Sequence, residues 1–201
     1  MDRTGAERLA KDMAAELALA ENKGAFVTEV EHFRRLIDRF PRATGKNRYK
    51  YQWTAAVFVY FRHLALNPTR LGFPAATWKM YPEEKPYKGE FLTDFAIWEE
   101  GYGLRIVCES QWYEGNNETN RARVASALDK LLHVRADIKV LVFEDSHETG
   151  TLMEHLRMTR MNKYLRFSDP EYYVLMQWHG DKVRSYLWCP TDENPPQLLS
   201  A

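Results

Sequence analysis

The period of apolar and polar positions changes along the chain near residue 75. Before this point, apolar side chains recur at helical spacing and predict three helices, at 4–20, 24–39 and 51–66. Residues 42–50 separate the last two and are expected to form a loop. After this point the apolar positions alternate or form short runs, which predicts three strands, at 76–83, 90–98 and 103–112.

Helical spacing returns at 116–137, and a continuous apolar run at 138–145 is typical of a strand buried on both faces. A further helix near 147–162 and a hairpin at 171–189 are predicted next, and the tail from 190 is expected to be frayed. The resulting order over the middle of the chain is helix, three strands, helix, strand. A helix that connects two strands of one sheet makes them parallel, so we predict an α/β fold with a mixed central sheet flanked by helices.

Length and composition favour one ordinary globular domain over residues 1–201. The formal net charge is zero, so no overall field indicates a nucleic-acid or membrane partner. Cys108 and Cys189 lie in apolar runs and are expected to be reduced thiols. No apolar run has the ~20 residues of a membrane helix, and the N-terminus lacks the apolar core of a signal peptide. We therefore expect a cytoplasmic protein with no membrane partner.

Two acids stand in the predicted hairpin TDFAIWEEGYGLRIVCESQW at 93–112: Asp94 in one strand and Glu109 in the next. Burying a carboxylate is costly unless a partner compensates its charge. If the register brings the two acids together, Mg²⁺ is a suitable partner, because it binds one or two carboxylates and leaves room for phosphate oxygens. Hydrolysis of a phosphodiester would follow chemically. The alternative is an exposed acid near a turn, or an ion pair with a neighbour such as Arg105.

The segments TD at 93–94 and ESQ at 109–111 resemble the PD-(D/E)XK nuclease superfamily, which has the restriction-endonuclease-like αβββαβ core. The resemblance covers about 51–145, which leaves 1–50 as a helical extension and 146–201 as a C-terminal helix and hairpin. It implies that Asp94 and Glu109 are catalytic and bind Mg²⁺ or Mn²⁺. It also implies the main-chain carbonyl of Ser110 as a further metal ligand.

The sequence departs from the family pattern at two positions. Thr93 replaces the Pro, and Gln111 replaces the Lys that acts on the attacking water. Gln can orient a water molecule but carries no charge and is no base at neutral pH. In some members the basic residue migrates to a neighbouring element, and Lys88 and Lys130 are the candidates in this chain. A lysine at either position is more often an ordinary surface residue.

Residues 34–50 contain seven basic residues and one acid. Such a local excess suits contacts to a phosphate backbone, and a solvated basic loop explains it equally well. The candidate DNA contacts are Arg42, Lys46, Arg48 and Lys50.

These observations lead to an expected function, a Mg²⁺-dependent DNA endonuclease acting in restriction or defence, with Gln111 as the residue that positions water. DNA is the expected partner, and a homodimer is left open. A non-catalytic protein of the same fold, which binds nucleic acid or a protein, is the first alternative. An unrelated α/β domain in which the two acids never meet is the second.

Overall fold

The computed structural model describes most of the chain. The described residues are 2–23, 47–73, 75, 77–81, 93–112, 117–145, 151–163, 171–179, 182–191 and 196–200. The helices are α1 (Arg3–Lys23), α2 (Asn47–Leu66), α3 (Asn117–His133) and α4 (Thr151–Thr159), with short 3₁₀ turns at Pro68–Leu71 and Met161–Lys163. The strands are β1 (Trp78–Tyr81), β2 (Phe95–Glu99), β3 (Gly103–Gln111), β4 (Ile138–Glu144), β5 (Tyr172–His179), β6 (Lys182–Trp188) and β7 (Gln197–Ser200). None of the helices in these ranges combines the length and apolarity that crossing a membrane requires.

The described strands form one seven-stranded sheet, in which spatial order follows chain order. The pairs β1–β2 and β2–β3 are antiparallel, β3–β4 and β4–β5 are parallel, and β5–β6 and β6–β7 are antiparallel. The parallel pair β3–β4 is joined through α3, as the crossover argument requires. The prediction of a mixed sheet is confirmed.

Helices cover both faces of this sheet. Helices α1 and α2 pack on the face that carries Phe95, Ile97 and Cys108. Helices α3 and α4 pack on the opposite face, which carries Ala96 and Val107. The alternation of side chains along β2 and β3 divides their residues between two separate cores.

The structure differs from the sequence prediction in three places. Helix α2 begins at Asn47, so residues 47–50 are helical and the prediction of a loop over them is wrong. The tail is not frayed throughout, because β7 pairs with β6 and Leu199 packs against the core. The polar, Ala-rich sequence of α1 predicts an amphipathic helix on the domain surface, but Leu9 and Leu17 are completely buried against the sheet. The helix predicted for 24–39 lies outside the described residues.

Candidate metal and catalytic site

The hairpin register places Asp94 beside Glu109. Phe95 pairs with Cys108 and Ala96 with Val107, so Asp94 stands opposite Glu109 one residue beyond the ladder. The backbone N–H of Asp94 donates a hydrogen bond to the Glu109 carboxylate. Both acids therefore lie at one end of the hairpin, and strand alternation puts Glu109 on the sheet face covered by α3. The charge of Asp94 acts on Glu109 from across the hairpin.

Glu109 is the buried member of the pair, since none of its side chain is exposed. The Nζ of Lys130 lies 3.3 Å from Oε1 and 3.1 Å from Oε2 of Glu109. Desolvation, followed by the charge of Asp94, raises the pKa of Glu109 to about 7. Lys130 and the Asp94 N–H oppose this rise because they stabilise the charged form. Glu109 therefore keeps its proton to a higher pH than an exposed glutamate does.

Asp94 is exposed as a residue, but Ser110 holds one of its oxygens. Oδ2 accepts hydrogen bonds from the backbone N–H of Ser110 at 2.8 Å and from its Oγ at 3.1 Å. Enough protein surrounds the carboxyl for desolvation to raise the pKa of Asp94, while the two Ser110 hydrogen bonds and the charge of Lys130 lower it. An acid that is reached by solvent yet partly desolvated by its surroundings is a candidate functional residue.

The Ser110 hydroxyl was missed in the sequence, where only its main-chain carbonyl was considered. The sequence does show a Ser directly after the motif acid Glu109. Because Asp94 lies opposite Glu109 in the hairpin, the hydroxyl of Ser110 could have been expected near the Asp94 carboxylate. The ligand role of the Ser110 carbonyl stays a prediction. The hydroxyl, by contrast, has a visible contact that fixes the orientation of Asp94.

Replacing Ser110 by Ala is expected to weaken Mn²⁺ binding about tenfold, the lower end of the usual effect of losing such a supporting contact. The backbone N–H still binds Asp94, so the site is loosened and not destroyed. Ser110→Thr keeps the hydroxyl and should restore most of the affinity. Calorimetry on the three proteins measures this, and identical affinities would show that the hydroxyl has no orienting role.

Gln111 lies two residues beyond Glu109 on β3 and therefore points to the same face. Its side chain is half-buried and makes no hydrogen bond within the described part of the chain. Trp112 follows it, is buried, and donates from Nε1 to the Oγ1 of Thr54 in α2 at 2.9 Å. The end of β3 is thus anchored while the amide of Gln111 keeps its hydrogen-bonding capacity for another partner.

Helix α3 is tied to neighbouring elements at two positions that precede Lys130. Near its start, the Nδ2 of Asn120 donates to the carbonyl of Glu144 at 3.1 Å. Near its end, Arg160 binds Asp129, with Nε 2.8 Å from Oδ1. Lys130 follows Asp129 directly, so its backbone is held in place while its side chain, 46% exposed, extends over Glu109.

For the other predicted basic residues, the structure gives the backbone of Arg48 and Lys50 and the side chain of Arg105. Arg42, Lys46 and Lys88 lie outside the described residues. Arg48 and Lys50 lie at the start of α2, so the prediction that they belong to a loop is wrong. Arg105, the suggested ion-pair partner of the acids, instead binds Glu99 at 2.6 Å and Asp137 at 2.7 Å.

Within the described ranges, no three His, Cys, Asp or Glu side chains converge as a metal cluster. The site there consists of two carboxylates, one ammonium and one amide. No protein-family model, curated protein or solved structure matches this chain. The geometry of the site therefore carries the functional argument by itself.

Proposed function

We propose that this chain is a divalent-metal-dependent nuclease of the restriction-endonuclease-like type. The observation that carries the proposal is the meeting of Asp94 and Glu109 on adjacent strands, with the pKa of both raised. Two neighbouring carboxylates, one of them fully buried, repel each other, and this arrangement is costly unless positive charge compensates both. Functional sites are where such a cost is most often retained.

The residues present suit Mg²⁺ or Mn²⁺. Asp94 and Glu109 offer hard oxygen ligands from two rigid strands, and Mg²⁺ in phosphoryl-transfer sites uses one or two carboxylates with water and substrate oxygens. Three or more acids are characteristic of the fuller Ca²⁺ cages and are not required here. When bound, the ion would polarise a phosphoryl oxygen and favour deprotonation of a water.

The order of elements supports the same proposal. Helix α2, strands β1 to β3, helix α3 and strand β4 follow one another over residues 47–144, as the αβββαβ core of the resemblance implies. Asp94 then directly precedes the second strand, and Glu109 lies near the end of the third. The superfamily relationship itself remains part of the proposal.

Each residue has a role in this proposal. Asp94 and Glu109 bind the cation, and Ser110 orients Asp94. Lys130 supplies the positive charge that Gln111 lacks, close to the place where the phosphate would become more negative. Gln111 orients the attacking water through its amide. The substrate is DNA, as the resemblance implies, and the basic segment 34–50 remains its predicted contact.

A binding-only protein of the same fold is the competing proposal, and one observation favours it. Gln111 carries no charge, and the ammonium of Lys130, which lies beside Glu109 in the described structure, is already paired with that acid. The two proposals separate in one assay: wild-type protein with plasmid and with single-stranded DNA, in Mg²⁺, in Mn²⁺ and in chelator. Metal-dependent strand breaks support the nuclease, while binding without breaks under all conditions supports the alternative.

Lys130→Met is expected to reduce turnover by about a hundredfold or more, as the loss of a positioned charge usually does. Gln111→Ala should reduce turnover by roughly tenfold, because a water can be oriented less precisely without it. Gln111→Lys should retain or raise activity, since it restores the commoner family residue. Single-turnover cleavage rates measure these effects. If Gln111→Ala costs more than Lys130→Met, the basic role has not moved to α3.

A further inference from the structure

Lys130 occupies the position at which a metal ion would contact Glu109. Its Nζ is within 3.3 Å of both carboxylate oxygens, so neither oxygen is free of it. Glu109 is fully buried, whereas Lys130 is nearly half exposed. The lysine therefore approaches from solvent and covers the acid.

The same ammonium also acts on the second carboxylate, because the charge of Lys130 lowers the pKa of Asp94. Ser110 binds Oδ2 of Asp94, which leaves Oδ1 without a hydrogen bond among the described residues. One cationic group thus pairs with Glu109 and acts through its charge on Asp94. A divalent ion held by the two acids would compete with this group for Glu109.

We propose that Lys130 is an internal counter-ion of this site, which a divalent cation displaces from Glu109 and thereby releases to bind a phosphate oxygen of the substrate. The inference rests on the proposed function, since it assumes that Asp94 and Glu109 bind the cation. It adds a sequence of events: the metal must enter first, and the anion-binding charge becomes free only then.

The exchange is physically feasible at this position. A divalent ion that binds both acids compensates two repelling carboxylates, whereas Lys130 pairs directly with one. Lysine carries its charge on a flexible four-carbon stem, and its exposed half allows the ammonium to leave without unfolding the helix. Arg160 keeps the neighbouring Asp129 fixed, so only the side chain has to move.

Lys79 is a matched control in the same sheet. It forms a looser pair with Glu100 at 4.0 Å, and both side chains are more than half exposed. It lies on β1, opposite Trp98 and at the other end of β2 from Asp94. A cation at the proposed site should leave Lys79 unaffected.

The test is site-resolved acetylation of the whole protein, followed by mass spectrometry, without metal and with saturating Mn²⁺ whose binding is verified by calorimetry. We expect Mn²⁺ to accelerate labelling of Lys130 several-fold, because the amine changes from mostly paired to mostly free, and to leave Lys79 unchanged.

The variant Lys130→Met should bind Mn²⁺ about tenfold more tightly than the wild type, because the ion no longer has to displace an ammonium from Glu109. This comparison is made at pH 8.5, where protons compete only weakly for Glu109.

The outcomes separate the inference from the function on which it rests. If Mn²⁺ binds and the labelling of Lys130 stays constant or falls, the exchange is wrong while the metal site remains. If Mn²⁺ binds neither the wild type nor Lys130→Met, the proposed metal site fails and the inference fails with it. If only Lys130→Met binds Mn²⁺, the ion cannot displace the lysine, and the exchange is again wrong.

Discussion

Mn²⁺ binding at the site is expected to disappear when either Asp94 or Glu109 is replaced by Ala. These two residues are the carboxylates that the described structure brings together, and the loss of one leaves a single acid facing the ion. We expect affinity to fall by at least about a hundredfold, because a supporting contact alone is worth 10–100-fold and a direct ligand is worth more. Titration calorimetry of the two variants and the wild type measures the effect.

Glu100→Ala is the control for this experiment. Glu100 follows β2 on the turn of the same hairpin, and its side chain is 74% exposed, so its removal subtracts the same charge at the far end of the strand. It should bind Mn²⁺ like the wild type. Equal affinities in all four proteins would place the metal elsewhere and refute the pairing of the two acids as a site.

The metal-free protein is expected to gain stability from Glu109→Gln above neutral pH. The pKa of Glu109 is about 7 in the folded state against an ordinary value of 4.5, and such a difference corresponds to roughly 3 kcal/mol. A raised pKa gives stability that is present at low pH and is lost as pH rises through the folded value. Gln is neutral at every pH and keeps the acceptor oxygen, so it avoids this loss.

The difference between Glu109→Gln and wild type should therefore be near zero at pH 4, grow as pH rises from 4.5 to 7, and reach its full size by pH 8. For a chain of this length it would appear as an increase in Tm on the order of 5–10 °C. Thermal unfolding in chelator over this pH range measures it, with Glu100→Gln as a variant that should show no such trend. A Glu109→Gln protein less stable than wild type at pH 8 would mean that the Lys130 pair outweighs desolvation.

Much of this site could be anticipated from strand alternation alone. Asp94 and Glu109 each stand at a position that a period of two assigns to one face of its strand, and the turn between them predicts a hairpin. Their meeting depends on the register, which a slip of one residue would reverse. That register is fixed by packing on both faces of the sheet, which the local sequence does not reveal.

The partners of the acids were harder to foresee, for physical reasons. Lys130 lies 21 residues from Glu109, and only the path of α3 back over the sheet brings the two together. From the sequence, Lys130 and Lys88 were equal candidates, because the spacing of residues along one element does not give the distance from a lysine to an acid on another element. Ser110 bonds to a residue across the hairpin, and this is again a product of the register.

The local sequence pattern also did not predict strand β7 or the burial of helix α1. Strand β7 follows a stretch rich in Pro and polar residues, and it exists because β6 offers unpaired backbone groups at the sheet edge. Helix α1 reads as polar and Ala-rich, yet it contacts β5 and β6 and adds Leu9, Met13 and Leu17 to the core. Both outcomes depend on contacts between residues that are far apart in sequence.

The central claim is that Asp94 and Glu109 jointly bind a divalent cation. The most direct measurement is the anomalous scattering of Mn²⁺ in a crystal of the protein soaked with the ion. We predict one strong peak within coordination distance of both carboxylates, with the Lys130 side chain turned away from Glu109. A crystal in which Lys130 still contacts both oxygens of Glu109, with no peak between the acids at saturating Mn²⁺, would contradict the account.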